Sequence, residues 1–365
     1  VALVLCMLLL RSLPTLLLHR ACIVAAAAEG HCGAELLEGS SLIPPSRLIV
    51  MFSHGCSGSS WVFFTLVSLL RLHGVDARLP PYPDPRGAAV DPSALKPEPN
   101  MEWVDRCVKH TQLSAAECLR EADASARRGG YVAVMKVFDY HLTEPGSSRT
   151  SAWAALADLR PVVLLSDRCD VLDRLICEVR NCFIREKRQH SVDSTGHPSD
   201  ACMAIRTNSS ARATTLARLD EGSLVKNLVA RLRDHTNLQS LVSKRVQPRC
   251  GASSFAEEEL VAFEKEEGAM GRSTRAWGRV LAAAGVASPD DDMILTQLRV
   301  LQTKGGGYRE SLHSEVIWEP ESALRVLCRG PEYLQSLWRP QSELHSVCAG
   351  QRGEPLPEVP SHCFP

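Results

Sequence analysis

Residues 47–73 read Arg-Leu-Ile-Val-Met-Phe, then Ser-His-Gly-Cys-Ser-Gly-Ser-Ser, then Trp-Val-Phe-Phe-Thr-Leu-Val-Ser-Leu-Leu-Arg-Leu-His. The pattern predicts a buried strand over Leu48–Phe52, a turn of small residues, and a helix over Ser60–His73 closed by Gly74. A helix N-terminus presents unpaired backbone N–H groups and the positive end of the macrodipole. Small residues let a phosphate or sulfate group come close to that backbone. Serines are also ordinary helix caps, so one of Ser57, Ser59 and Ser60 starts the helix whatever the loop binds.

Two further apolar runs, Tyr131–Phe138 and Pro161–Leu165, read as buried strands. Helical patterns fall over Glu102–Ala126, Ser151–Leu159, Val171–Arg188, Glu221–Val242, Glu257–Gly285, Asp290–Gln302 and Pro320–Leu327. Apolar strands without alternation, separated by helices, argue for a parallel sheet covered on both faces. The expected architecture is a three-layer α/β/α domain over residues 47–345, with a polar insertion at 189–215 and a loose tail at 346–365. Residues 80–99 carry seven prolines and read as irregular loop. Ligands of such sheets sit at the C-terminal ends of the strands, so the tips after Phe52, Phe138 and Leu165 should converge.

The 365-residue chain has a formal net charge of −1. No long-range field draws it to nucleic acid, and an anionic ligand has to be met by local basic groups. Its 14 cysteines include no Cys-x-x-Cys pair, so structural zinc is not expected. Cys107 and Cys118 lie in one helical segment and suit a local disulfide. Residues 1–28 are mostly apolar and end in Ala25–Ala28, which reads as a signal peptide or signal anchor; a buried N-terminal helix is the alternative. Residues 29–46, with Pro44-Pro45, read as a linker. The sequon Asn208-Ser209-Ser210 agrees with a secretory route.

The turn lacks the Gly-Lys-Ser/Thr of a Walker loop, which argues against an ATPase or GTPase. The stretch Ser57-Gly58-Ser59-Ser60-Trp61, placed after a strand, resembles the Ser-Gly-Ser/Thr-Thr-Trp loop of sulfotransferases. A second stretch, Leu164-Leu165-Ser166-Asp167-Arg168 through Leu175-Ile176-Cys177, resembles that family's 3′-phosphate motif. There an Arg at a strand tip and a Ser about eight residues on hold the phosphate. Arg168 fits the Arg, while the hydroxyl position falls on Ile176 or, one residue later, Cys177. Arg272-Ser273-Thr274-Arg275-Ala276-Trp277 resembles a late helix of bacterial and algal members. In patches, the similarity spans about residues 46–330.

The resemblance implies a P-loop-like fold and a 3′-phosphoadenosine-5′-phosphosulfate co-substrate, with no metal. Cys56, Ser57, Gly58, Ser59, Ser60 and Trp61 would form the 5′ loop, with Arg168 and Cys177 at the 3′-phosphate. It further implies a hydroxyl acceptor, carbohydrate being the expected class, and a Golgi or secretory location with a possible single-pass anchor. One departure stands out: Cys56 occupies the place where the family puts Lys or Arg. Cationic stabilisation of the moving sulfuryl group is then weakened, by an amount on the order of several kcal/mol. His54 is a partial substitute when protonated. An acceptor hydroxyl needs a general base, for which Asp139, His141 and Glu144 after the second strand are candidates beside their reading as solvated loop residues. Lys136 either faces the nucleotide or snorkels at the sheet edge, and Lys304 before three glycines either closes over the ligand or belongs to a plain loop.

Two other readings stand beside this one. A sulfotransferase-like chain without its loop cation is a nucleotide or glycan binder without catalysis. Alternatively, Phe52-Ser53-His54-Gly55 resembles the His-Gly oxyanion strand of α/β-hydrolases, although no complete Gly-x-Ser-x-Gly elbow occurs.

Overall fold

A computed structural model describes residues 46–54, 59–81, 103–138, 149–180, 216–246, 252–260, 268–301, 313–330, 332–339 and 341–348. Its framework is a five-stranded sheet: β1 (Leu48–Ser53), β2 (Ala77–Arg78), β3 (Val132–Val137), β4 (Val162–Asp167) and β5 (Ala252–Ala256). The strand order is β2-β3-β1-β4-β5, and every pairing is parallel. The three apolar runs form the three inner strands, where burial on both faces removes any need for alternation. The chain therefore has an α/β fold with a central parallel sheet.

Helix α1 (Ser59–Leu72) follows β1. It ends in a Schellman turn: Val75 N–H donates to Leu70 O, Gly74 N–H donates to Arg71 O, and Gly74 has φ +78°. A side chain at that φ is strained, so glycine fits the stop. α1 covers the face that carries Ile49, Met51, Val134, Val162 and Leu164. Helix α2 (Trp103–Thr111) and helix α3 (Ala115–Gly129) cover the opposite face, with α4 (Arg149–Leu159), over Leu48, Val50, Phe52, Met135, Val163 and Leu165. Phe52 stacks on Trp153 at 5.7 Å between ring centroids.

The helix expected over Glu102–Ala126 is two helices. Gln112, at φ +60°, breaks it, and Ser114 restarts it in a capping box with Glu117. The expected disulfide is present: Cys107 and Cys118 are bonded across this corner. Ser46, at the end of the expected linker, is buried and donates to Asp123 Oδ1 on α3 at 3.1 Å.

After β4 come α5 (Val171–Arg180) and α6 (Leu224–Arg245). The first half of α6 packs with α5 and the C-terminal helices in a third apolar cluster, and its last turns join the α3–α4 side of the sheet. The helix expected over Glu257–Gly285 appears as α7 (Glu257–Leu260) and α8 (Ala269–Ala283), and α9 (Asp291–Leu301) follows. The C-terminal cluster holds α10 (His313–Val316), α11 (Pro320–Cys328), α12 (Glu332–Ser336) and α13 (Gln341–Cys348). Cys348 is disulfide-bonded to Cys328, so the first three residues of the expected tail are helical and tied down. The segments at 1–45, 189–215 and 349–365 lie outside the described residues. Among the described residues no helix is long and apolar enough to cross a membrane.

This topology fixes where a ligand can sit. β1 sends the chain over one face toward β2, and β4 sends it over the other toward β5. Adjacent strands whose connections diverge leave a crevice at their C-terminal ends, here between β1 and β4.

Candidate functional site

Ser53 pairs in register with Ser166, so the tips of β1 and β4 are neighbours. His54 follows Ser53 and is buried. Gly55, Cys56, Ser57 and Gly58 lie outside the described residues, as does the side chain of Ser59; helix α1 then starts at Ser59. Lys136, in register with Met51 on the neighbouring β3, is only 2 % exposed. Its Nζ donates to Ser60 Oγ at 3.1 Å and lies 4.9 Å from the Phe138 ring centroid. Since β3 is an inner strand, Lys136 does not snorkel at an edge. The ammonium stands at the positive end of α1 and adds to the potential there, an arrangement that favours an anion.

Trp61 packs against Trp277 of α8, with ring centroids 6.2 Å apart. Trp277 Nε1 and Ser273 Oγ both donate to Leu260 O, at 3.0 and 2.6 Å. The late stretch around Trp277 is thus a buttress for the start of α1, and Trp61 serves packing at that joint.

The β4 tip carries a buried ionic network. Arg168, 4 % exposed, donates through Nη2 to Asp173 Oδ2 at 2.8 Å. Arg339 Nη2 donates to the same oxygen, and Arg339 Nη1 donates to Asp170 Oδ2 at 3.0 Å. The backbone N–H of Arg339 donates to His313 Nδ1 at 2.9 Å, which leaves Nε2 to carry the proton given to Asp173 Oδ1 at 3.1 Å. Asp170 caps α5, its Oδ1 accepting from Asp173 N at 2.9 Å. Glu258 of α7 accepts from the N–H groups of Cys169 and Asp170 at 3.2 and 2.9 Å. The β4–α5 corner is thereby tied to α7, α10 and the segment after α12.

Burial and the neighbouring charges together decide how this network titrates. Burial and the neighbouring Asp173 carboxylate outweigh Arg339 and Arg168 and push the Asp170 carboxyl up to about 6. Asp173 is also penalised by burial, but the His313 hydrogen bond and both guanidiniums prevail and hold it down at about 2. Glu258 keeps part of its surface in solvent, yet lost solvation raises its pKa against the bonds it accepts. Asp170 thus contributes stability at low pH that is lost as pH rises through about 6. Asp170→Asn, which retains a capping oxygen, should match the wild type near pH 4 and exceed its stability at pH 7.5. Urea unfolding at the two pH values checks this, and a variant weaker at pH 7.5 contradicts the sign.

Asp170, Asp173 and His313 converge closely enough to suggest a metal centre. Their acceptor atoms are already engaged by Arg339, Arg168 and the His313 proton, and His313 Nδ1 is engaged by a backbone N–H. A cation here would displace two guanidiniums, so the arrangement fits ion pairing and not metal binding. The same bonds disqualify His313 as the base of a serine hydrolase, because neither ring nitrogen is left for a serine.

Cys177 requires a correction. It is disulfide-bonded, as is Cys169, so it has no thiol hydrogen to offer a phosphate and instead anchors α5. His141 and Glu144, with Asp139 and Lys304, lie outside the described residues. Sequence reading missed the partners of Arg168. The Asp170-x-x-Asp173 spacing signals a helix cap, but His313 and Arg339 stand more than a hundred residues away with no local signature.

What fold and site together define is an α/β protein in which the tips of two inner parallel strands, β1 and β4, are adjacent beside the start of α1, where Lys136 donates to Ser60. Comparison with protein-family models, curated proteins and solved structures finds no match to the chain.

Proposed function

We propose that the chain binds 3′-phosphoadenosine-5′-phosphosulfate in the β1–β4 crevice and transfers its sulfuryl group to a hydroxyl acceptor of the carbohydrate class. The observation that carries this reading is the register of Ser53 with Ser166, with Lys136 Nζ on Ser60 at the start of α1. The two stretches that resemble sulfotransferase motifs are thereby adjacent. A strand order that opens a crevice between β1 and β4 agrees with the P-loop-like form of the α/β fold.

In this reading Ser57, Gly58, Ser59 and Ser60 hold the 5′ end through backbone and hydroxyl donors. Lys136 supplies the cation that Cys56 does not. Arg168, at the tip of β4, meets the 3′-phosphate through its guanidinium. The acceptor oxygen forms a bond to sulfur, the bond from sulfur to the 5′-phosphate oxygen breaks, and adenosine 3′,5′-bisphosphate leaves. The acceptor proton passes to a base, for which Asp139, His141 and Glu144 are the candidates, and His54 when protonated adds to the cationic stabilisation. The disulfides Cys107–Cys118 and Cys328–Cys348 agree with an oxidising, secretory compartment.

Cys56 favours a second reading, a nucleotide binder without catalysis. The test is incubation with sulfur-labelled donor and a panel of glycans. Label in a glycan together with released adenosine bisphosphate is the expected result. Donor binding without label transfer selects the second reading, and absence of donor binding rejects both.

A further inference from the structure

Buried hydroxyls without a partner are uncommon in folded proteins, and each one calls for an explanation. Ser53 Oγ and Ser166 Oγ are both such atoms, at 0 % and 4 % residue exposure. They are cross-strand neighbours at the C-terminal tips of β1 and β4. Strand alternation puts Ser53 on the face of Ile49 and Met51, and Ser166 on the face of Val162 and Leu164. That face is the one α1 covers. Both hydroxyls therefore point beneath the first turn of α1, where Lys136 Nζ also reaches. Thr65 Oγ1, on the buried side of α1, is a third hydroxyl without a partner.

We infer that Ser53 and Ser166 form the floor of an oxyanion pocket and donate their hydroxyl hydrogens to a tetrahedral sulfate or phosphate group held at the N-terminus of α1. This rests on the proposed nucleotide site and adds to it two donors from the sheet itself. The pocket has donors on two sides: backbone N–H groups of the helix end above, and serine hydroxyls below. Hydroxyls supply hydrogen bonds without charge, so the anion keeps its attraction to Lys136 and the helix dipole. Energetically, the serines stay costly until the anion arrives, because an unmade buried hydrogen bond is unfavourable.

That cost separates a binding role from a structural one. A serine that stabilises the fold through a hydrogen bond loses stability on truncation. A serine waiting for a ligand does not, because alanine removes an unsatisfied group. Ser53→Ala and Ser166→Ala are made singly and together, and read by thermal unfolding and by calorimetric titration with adenosine 3′,5′-bisphosphate. Inorganic sulfate serves as a second probe. The expected result is a ligand-free melting temperature equal to or above wild type in each single variant. Affinity should fall about fivefold per serine and at least tenfold in the double variant. Affinity within twofold of wild type, or a melting temperature several degrees lower in both single variants, overturns the pocket. If wild type ignores the nucleotide but is stabilised by sulfate in a serine-dependent way, the pocket stands and the nucleotide reading falls. If neither probe acts on wild type, both fall.

Discussion

Asp173→Ala is expected to lower the unfolding free energy at pH 7 by roughly 3–5 kcal/mol, the usual cost of removing one partner from a buried ionic cluster. Arg168, Arg339 and His313 all donate to this one carboxylate. Deleting it takes an acceptor from two guanidiniums and an imidazole N–H, while Asp170 still accepts from Arg339. The effect comes less from lost attraction than from stranded donors. Asp173→Asn, which keeps one acceptor oxygen, should cost less than the alanine variant. The loss also has a pH signature. Asp173 is held below its ordinary value of 3.8, so its contribution is present above that value and fades as pH falls toward about 2. Urea denaturation at pH 7 and pH 3 provides the check. A cost under about 1 kcal/mol at pH 7 would mean that the network is dispensable.

Lys136→Met carries the largest expected effect on function. The substitution preserves length and apolar bulk on an inner strand while removing the ammonium that donates to Ser60 Oγ. Sulfuryl transfer should drop by about a hundredfold or more, the scale seen when one preorganised stabiliser of developing charge is lost. Cys56→Lys in the same background should recover part of that rate, because it restores a cation to the loop. Initial rates with labelled donor measure both variants. Unchanged turnover in Lys136→Met would remove this residue from the mechanism and leave the loop without its cation.

These effects depend on long-range placement, which explains what could and could not be read in advance. The inner strands β1, β3 and β4 announced themselves because burial on both faces demands unbroken apolar runs, and helix α1 because its Gly74 stop and serine start bracket an apolar segment. β5 escaped notice: Ala-Ser-Ser-Phe-Ala is short and half polar, as an outer strand can be, and the two-residue β2 has no pattern to display. The break at Gln112 was hidden, since nothing in Thr-Gln-Leu-Ser forces a left-handed residue. At the site, adjacency of the β1 and β4 tips followed from general sheet rules. The floor serines looked like ordinary strand ends, and the environment of Arg168 came from the far end of the chain. Cys177 showed the converse, a residue whose sequence position suggested a ligand contact and whose sulfur is bonded elsewhere.

The crevice between β1 and β4 is the centre of the account. Calorimetric titration of the intact chain with adenosine 3′,5′-bisphosphate at pH 7 probes it most directly. A saturable one-site isotherm, weakened at least tenfold when adenosine 5′-monophosphate replaces the bisphosphate, is the predicted result. Absence of heat up to millimolar nucleotide, or equal affinity for the two nucleotides, would contradict it.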